Sequence, residues 1–226
     1  MDAIDNAPDT TLSDLSVAPD WESLKVSRGS LLPHWSAENA IYHVCFRLAD
    51  SVPALQRQRW LEERESLADQ LRTAHGALTE ADVNELRGMF SDKVNAYLDQ
   101  SCGACLLRDA ACATCVADAV SFFDGTRYRL HAWCVMPNHV HLIVDPAGGW
   151  ALGKTVHGWT CFTAKALNRI LGRSGAIWQH EPYDHIIRSV REYVYQVKYV
   201  WENPDKAGIT APRWKSAIME EECAGV

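Results

Sequence analysis

Apolar and polar residues alternate from position 41 to position 48, which is typical of a β-strand. Apolar side chains occupy the even positions, and the odd positions hold His43, Cys45 and Arg47. This alternation predicts a half-buried strand whose two faces differ in polarity. Two further apolar runs, at 127–133 and 139–144, predict two strands that are joined near residues 136–138.

A helical period replaces this alternation in the segments between and after the strands. It predicts two helices within 53–100, a third over 108–123, and others at about 151–171 and 189–203. Ser189 and Glu192 form a capping box at the start of the last helix. Pro204 disfavours a helical conformation at Asn203, so we predict that this helix ends there. Strands separated by helices, without an internal repeat, indicate the α+β class.

The composition is that of an ordinary globular protein. The chain has 226 residues, of which 47% are hydrophobic and 23% are charged, enough for one domain with a sizeable core. Residues 1–30 are acidic and contain few clustered apolar side chains, which predicts a poorly ordered tail. We find no apolar run of about twenty residues and no basic segment followed by an apolar one at the start. We therefore expect a cytoplasmic protein without a membrane partner.

Two histidines flank one apolar residue in the predicted strand over 139–144. Successive side chains of a strand point to opposite faces, so His139 and His141 project together while Val140 points into the core. Two adjacent imidazoles form half of a metal site. The alternative interpretation of this triplet alone is a pair of exposed strand histidines.

The helix predicted over 189–203 carries the second part of the candidate site. Tyr199 and Asn203 are four residues apart and share a helix face. A tyrosine hydroxyl can act as a covalent nucleophile, and an amide oxygen can bind a hard divalent cation. Tyr193 and Tyr195 lie on the same helix, and all three tyrosines suit an amphipathic core and rim. Spacing alone does not choose among them.

Several short motifs, in this order, resemble those of the REP-associated tyrosine transposases, which belong to the HUH single-strand transposases that use one tyrosine. The resemblance covers roughly residues 31–210. Its motifs are Leu-Pro-His-Trp at 32–35, the strand and turn at 42–51, Met-Pro-Asn-His-Val-His at 136–141, Trp-Gln at 178–179, Tyr-Asp-His-Ile-Ile-Arg at 183–188 and Tyr-Val-Trp-Glu-Asn-Pro-Asp-Lys-Ala-Gly at 199–208.

The resemblance implies a fold, a site and an activity. The fold is a ferredoxin-like antiparallel sheet flanked by helices, with the histidines on a central strand, a helical insertion at about 53–120 and a tail over 211–226. Tyr199 is the implied nucleophile, and His139, His141 and Asn203 are the implied ligands of Mg²⁺ or Mn²⁺. The activity is that of a single-stranded DNA endonuclease and strand transferase that forms a 5′-phosphotyrosine at hairpin repeat DNA, acting as a monomer or a homodimer.

Three alternatives to this activity remain open at the level of sequence. The first is a DNA-binding protein that descends from a transposase and has lost catalysis. The second is a replication-initiation nuclease or relaxase, although such enzymes often carry two tyrosines and a helicase partner. The third is an interaction module stabilised by zinc.

The charge distribution bears on DNA binding. The net charge of −7 disfavours a general nucleic-acid binder, because phosphate contacts need Lys and Arg. Residues 126–206, however, contain ten Lys or Arg against six Asp or Glu, a net charge of +4. We predict DNA contacts for Lys154, Lys165, Arg169, Arg188 and Lys198. Trp133, Trp159, Trp178 and Trp201 can stack on bases, but we expect most of them in the core.

Eight cysteines include two Cys-x-x-Cys units with six residues between them: Cys102, Cys105, Cys112 and Cys115. Such paired units indicate a structural Zn²⁺ site, although the usual spacer is longer. Cys112 and Cys115 lie in an alanine-rich run where cysteine serves equally as a small apolar filler. We therefore do not favour the zinc interpretation.

Overall fold

The computed structural model describes residues 17, 19–28, 33–79, 82, 86, 89, 93–98, 100–210 and 212–215. The strands are β1 (Asp20–Arg28), β2 (Pro33–Glu38), β3 (Tyr42–Arg47), β4 (Tyr128–Val135), β5 (His139–Pro146), β6 (Tyr183–Ile186) and β7 (Arg213–Lys215). The helices are α1 (Ala54–His75), α2 (Ala110–Ser121), α3 (Leu152–Ile170) and α4 (Val190–Lys206), with a 3₁₀ turn at Leu106–Arg108.

Five strands form one antiparallel sheet in the order β6-β3-β5-β4-β7. Helices separate β3 from β4 and β5 from β6, so these four strands follow a βαββαβ path with the spatial order 4-1-3-2. That path and order define a ferredoxin-like sheet. The predicted fold class is confirmed, and the histidine strand β5 lies at the centre of the sheet.

Helices cover both faces of this sheet. Val44, Phe46 and Leu142 point to one face, where they pack with residues of α2 and α3. Ile41 and Ile143 point to the other face, where they pack with residues of α4. Strand β3 is therefore buried on both faces rather than half-buried as predicted, because Tyr199 of α4 packs beside His43 and the cluster of Trp60, Val94 and Leu98 packs against Cys45.

The structure revises both predicted tails. Residues 20–28, placed by the sequence in a poorly ordered tail, form β1 and pair with β2 as a separate two-stranded sheet. Residues 213–215, assigned to the C-terminal tail, form β7 and pair with β4. Within the two predicted tails, residues 1–16, 18, 29–30, 211 and 216–226 lie outside the described residues.

The helical insertion is described in part. Helix α1 and residues 93–98 pack around the buried Trp60, Val94 and Leu98. Thr79 and Asp82 form a reciprocal capping box, since the Thr79 N–H donates to Asp82 Oδ2 and the Asp82 N–H donates to Thr79 Oγ1. Much of the helix predicted to follow, including Val83 and Phe90, lies outside the described residues.

Helix α4 continues to Lys206, past the end predicted at Asn203. Pro204 stands in its last turn, where proline removes only one helical hydrogen bond. The turn is closed by other contacts: the Ala207 N–H donates to the Asn203 carbonyl, and the Ile209 N–H donates to the Pro204 carbonyl. Arg213 of β7 also forms a bidentate ion pair with Asp205. These tertiary contacts outweigh the local effect of proline.

Histidine 34 ties the β1–β2 hairpin to the edge of the main sheet. Its Nδ1 contacts Asp184 Oδ1 on β6, and its Nε2 lies 3.0 Å from Glu181 Oε1. The hydrogen bond to Asp184, with smaller contributions from Glu181, raises the pKa of His34 to about 9.

This ion pair predicts a pH-dependent stability. The pKa of His34 is about 6.5 in the unfolded chain and about 9 in the folded one. The contribution of the ion pair to the free energy of unfolding is therefore complete below pH 6.5 and is lost as the pH rises through 9. We expect His34→Gln to lower the free energy of unfolding by about 1–2 kcal/mol at pH 6 and by much less at pH 9.5. Denaturant unfolding at both pH values measures this, with the exposed His180→Gln as control. An equal loss at both pH values would contradict it.

Candidate functional site

His139 and His141 lie side by side on β5, under helix α4. Both side chains are fully buried, and their ring centroids are 4.6 Å apart. Val140 between them packs into the core on the opposite face, as predicted. The alternative of two exposed strand histidines is therefore wrong.

Asn138 fixes the tautomer of His139. The Asn138 amide Nδ2 donates to the carbonyls of Leu98 and Cys102, at 3.3 and 3.0 Å. Its Oδ1 must then accept, and it lies 2.7 Å from His139 Nδ1. His139 therefore carries its proton on Nδ1, which leaves a lone pair on Nε2.

His43 on the neighbouring strand β3 holds His141 in a similar way. His43 Nε2 lies 3.0 Å from His141 Nδ1. With His141 Nδ1 as the donor, the lone pair of His141 is on Nε2. Burial lowers the pKa of His43 and of His139 to about 3, and it lowers the pKa of His141 well below its usual value. The three imidazoles are therefore neutral, as metal ligands must be.

The Nε2 atoms of His139 and His141 are buried and have no hydrogen-bond partner within the described part of the chain. An imidazole whose Nδ1 forms a hydrogen bond and whose Nε2 has no partner is typical of a histidine that binds a metal, and both rings have this pattern. No group of three His, Cys, Asp or Glu among the described residues has the arrangement of a metal site. The third ligand that the resemblance implies is of another type, the Asn203 amide, and it stays a prediction.

Tertiary structure distinguishes the three tyrosines of α4. The Tyr199 ring lies 5.4 Å from the His141 ring and 6.2 Å from the His43 ring, between centroids. Tyr193 is fully buried away from this pair, with its hydroxyl 3.0 Å from His131 Nδ1, and Tyr195 is exposed. Asn203, one turn after Tyr199, is 3% exposed, and its Nδ2 lacks a hydrogen-bond partner among the residues described.

Arg47 and Gln179 extend the cluster, and the sequence argument gave neither a chemical role. Arg47 lies directly opposite His139 in the β3–β5 register, with its side chain only 8% exposed. Its Nε donates to Gln179 Oε1 at 2.6 Å, and it forms no ion pair with any described carboxylate. Gln179 Nε2 is buried without a partner among the described residues. A buried, unpaired guanidinium beside the histidines is a site for an anion.

The motif at 183–188 anchors the tyrosine helix. His185 Nε2 lies 2.6 Å from Glu192 Oε1, and the Arg188 N–H donates to Glu192 Oε2 at 2.8 Å. The Glu192 N–H donates to Ser189 Oγ, as the predicted capping box requires. These bonds connect the start of α4 to strand β6, so the motif positions the helix that carries Tyr199.

The cations predicted to contact DNA do not form one surface. Lys154, Lys165 and Arg169 are exposed on α3, on the face of the sheet opposite His139 and His141. The Arg188 guanidinium lies 5.7 Å from the Trp35 ring centroid of the β1–β2 hairpin, and Lys198 on α4 has its Nζ 3.8 Å from Glu202 Oε1. Their roles stay predictions. Trp133, Trp159 and Trp178 are in the core, as expected.

The four cysteines of the Cys-x-x-Cys units do not converge into a zinc site. The Cys105 thiol donates to the Ser101 carbonyl at 3.0 Å, and Cys112 is buried in the core cluster of α2. Burial raises the pKa of the Cys112 thiol to about 11. The cysteines of α2 thus serve as apolar filler.

None of the described helices has the length and hydrophobicity needed to cross a lipid bilayer.

One comparison with known proteins, a partial sequence match, bears the name of the family that the motifs resemble. No protein-family model matches the chain. The sequence is 28% identical over 83 residues to the REP-associated tyrosine transposase of Escherichia coli (strain K12), an alignment covering 36% of this chain and 47% of the relative. The matched segment therefore spans about half the length of this curated relative. A solved structure of the REP-associated tyrosine transposase bound to a REP hairpin covers 81% of this chain and 74% of its own, at 16% identity and a TM-score of 0.40.

Proposed function

We propose that this chain, whose sequence resembles the REP-associated tyrosine transposases, is a metal-dependent single-stranded DNA endonuclease and strand transferase that acts on hairpin DNA. The observation that carries the proposal is the placement of Tyr199 beside two buried histidines whose Nε2 atoms have no partner among the described residues. A nucleophile next to a metal-ligand pair is the arrangement needed for transesterification at a phosphate.

His139 and His141 would hold the divalent cation through Nε2, and Asn203 would add its amide oxygen. Mg²⁺ or Mn²⁺ bound there supplies Lewis-acid stabilisation of the charge that develops on the phosphate. Asn138 and His43 keep the two imidazoles in the required tautomer and orientation, which is the usual task of such outer partners.

In the proposed reaction, the Tyr199 hydroxyl loses its proton and its oxygen forms a bond to the phosphorus of the scissile phosphodiester. The bond from phosphorus to the 3′ oxygen breaks, and that oxygen takes up a proton as a 3′-hydroxyl. The product is a 5′-phosphotyrosine, which conserves the energy of the phosphodiester. Attack by a 3′-hydroxyl in the reverse direction rejoins the strands and releases Tyr199.

Arg47 is the candidate phosphate ligand of this reaction. Its guanidinium lies beside His139, and Gln179 orients it through Nε. Burial lowers the pKa of Arg47, but an arginine starts from so high a value that it stays charged. A substrate phosphate would give this buried cation the anionic partner that the described residues do not provide.

A covalent-adduct assay tests the proposed function. The full chain is incubated with 5′-labelled and 3′-labelled hairpin oligonucleotides that carry single-stranded flanks, with Mn²⁺, with Mg²⁺ or with EDTA. We expect a covalent protein–DNA species only with a divalent cation and only from the oligonucleotide whose label lies 3′ of the cleaved bond. Tight hairpin binding without any adduct would instead support the alternative of a transposase descendant that only binds DNA.

Replacing Arg47 tests its role in holding the phosphate. Arg47→Met retains much of the apolar volume but removes the charge, so we expect adduct formation to fall roughly 10²–10³-fold. Mn²⁺ binding to the DNA-free protein should change less than twofold, because Arg47 is not a ligand. Single-turnover kinetics and Mn²⁺ titration measure the two effects. Arg47→Lys keeps the positive charge but not the planar guanidinium that can donate two hydrogen bonds to one phosphate. It is the matched control, and its rate of adduct formation should be intermediate. Wild-type kinetics in Arg47→Met would exclude this role.

A further inference from the structure

A cleft lies on the face of the main sheet that α2 and α3 cover, opposite the face that carries α4 and the histidines. It has no part in the reaction described above. It lies between the end of α2, the loop into β4 and helix α3, and it encloses a cavity of about 400 Å³. That volume is within the range of small-molecule sites. We call it the aromatic cleft and define it by Phe122, Phe123, Trp150, Phe162 and the helical residue Gly158.

Exposed aromatic rings surround the aromatic cleft. Phe122 is 76% exposed, Phe162 is 61% exposed and Trp150 is 41% exposed. Aromatic side chains of this size normally account for much of a core, and the tryptophans that the sequence indicated as base-stacking candidates are indeed mostly buried. Three exposed rings around one cavity indicate a binding surface.

The cations of the aromatic cleft distinguish among possible occupants. The Arg127 guanidinium carbon lies 3.4 Å from the Phe123 ring centroid and 4.4 Å from a Trp150 ring centroid. Lys154 lines the same cavity, and Asp118 is its one acidic lining residue, which gives the lining a net positive charge. An apolar peptide would use the rings but not the cations. A nucleotide uses both, because its base stacks on the rings and its phosphate carries negative charge.

Gly158 keeps the floor of the aromatic cleft open. It lies within α3, where glycine makes a helix less stable than alanine does. No atom lies within 4 Å of the position that a Cβ would take, so packing does not require glycine here. A side chain at 158 would occupy space in the cleft instead. The missing side chain lets a flat ring approach the helix backbone.

We propose that the aromatic cleft binds a nucleobase from an unpaired part of the DNA, stacked on Trp150 and Phe162, with Arg127 and Lys154 near its phosphate. This inference rests on the proposed function for the identity of the ligand. It adds a site on the other face of the sheet that recognises unpaired bases without taking part in strand cleavage.

Two glycines on α3 allow a matched test. Gly158→Leu fills the cleft, whereas Gly153→Leu places the same side chain on the same helix outside it. Both glycines are exposed and have nothing within 4 Å of their Cβ positions, so neither variant should melt at a lower temperature than the wild type. Phe162→Ala, which removes one ring, is the second cleft variant. Fluorescence anisotropy of the full chain compares a hairpin oligonucleotide carrying unpaired flanks with a blunt duplex of the same stem.

We expect Gly158→Leu and Phe162→Ala to weaken binding of the flanked hairpin about tenfold, with less than a twofold change for the duplex. Gly153→Leu should bind both probes like the wild type. Wild-type hairpin affinity in Gly158→Leu would overturn the proposal. So would a change from dimer to monomer in Gly158→Leu with unchanged hairpin affinity, since the cleft would then be an interface between copies of the chain.

Hairpin binding and adduct formation, measured together, show whether the aromatic cleft or the proposed nuclease activity is wrong. A tenfold loss of hairpin binding in Gly158→Leu, in a protein that forms no covalent adduct, would support the aromatic cleft and contradict the nuclease. Normal hairpin binding by Gly158→Leu, in a protein that does form the adduct, would support the nuclease and contradict the aromatic cleft.

Discussion

Replacing Tyr199 with phenylalanine is expected to abolish the covalent protein–DNA adduct, with a fall of about a thousandfold or more in its rate of formation. The substitution removes the hydroxyl oxygen that bonds to phosphorus in the proposed reaction and keeps the ring that packs beside His43 and His141. Removal of a nucleophile costs orders of magnitude in rate, because the remaining groups cannot replace the lost step. Denaturing gel electrophoresis with a labelled hairpin measures the adduct.

The other tyrosines of α4 are the controls for this result. Tyr195→Phe changes an exposed side chain and should leave the adduct unchanged. Tyr193→Phe removes the hydrogen bond to His131, so it should lower the free energy of unfolding by about 1 kcal/mol without abolishing the adduct. An adduct that persists in Tyr199→Phe and disappears in Tyr195→Phe would move the nucleophile and contradict the proposed site.

Removing a histidine ligand should have the second-largest effect. We expect His141→Gln or His139→Gln to lower Mn²⁺ affinity by more than the roughly 10–100-fold that loss of an outer partner costs, because each change removes a proposed ligand. Adduct formation should fall in parallel. EDTA should abolish it in the wild type, and added Mn²⁺ should restore it. Electron paramagnetic resonance titration of Mn²⁺ against DNA-free protein measures affinity independently of activity.

His131→Gln provides the matched control for these variants. His131 is also buried on a strand under α4, but it contacts Tyr193 rather than the histidine pair. Its substitution should lower stability and leave Mn²⁺ affinity within about twofold of the wild type. If the DNA-free protein bound Mn²⁺ equally well with and without His141, the pair would not be a metal site.

The sequence predicted the helices and strands correctly where their conformation depends mainly on residues that are close in the chain. The alternation at 41–48 and the helical period at about 151–171 correspond to β3 at 42–47 and to α3 at 152–170, within one residue at each end. Predictions failed where distant contacts override a local preference. Pro204 lies inside α4 because Arg213 and the following turn stabilise its last residues, and residues 20–28 form a strand because β2 pairs with them.

The candidate site shows the same division between local and distant effects. The period of a strand determines that His139 and His141 share a face, and the period of a helix determines that Tyr199 and Asn203 do so. Neither period relates the strand to the helix. The order of strands and the packing of α4 over β5 place Tyr199, rather than Tyr193 or Tyr195, beside His141.

By itself the sequence determined the class of the fold, the histidine pair, the set of candidate tyrosines and the resemblance to the REP-associated tyrosine transposases, because each depends on residues that are close in the chain. Only the tertiary structure decided which tyrosine faces the histidines, that Asn138 and His43 orient them, and that Arg47 lies beside them without an ion pair to any described carboxylate. It also decided that the four cysteines do not form a metal-binding group, while Phe122, Trp150 and Phe162 line one cleft. The physical reason is that these relations join residues tens of positions apart, and sheet register and helix packing determine them rather than local spacing.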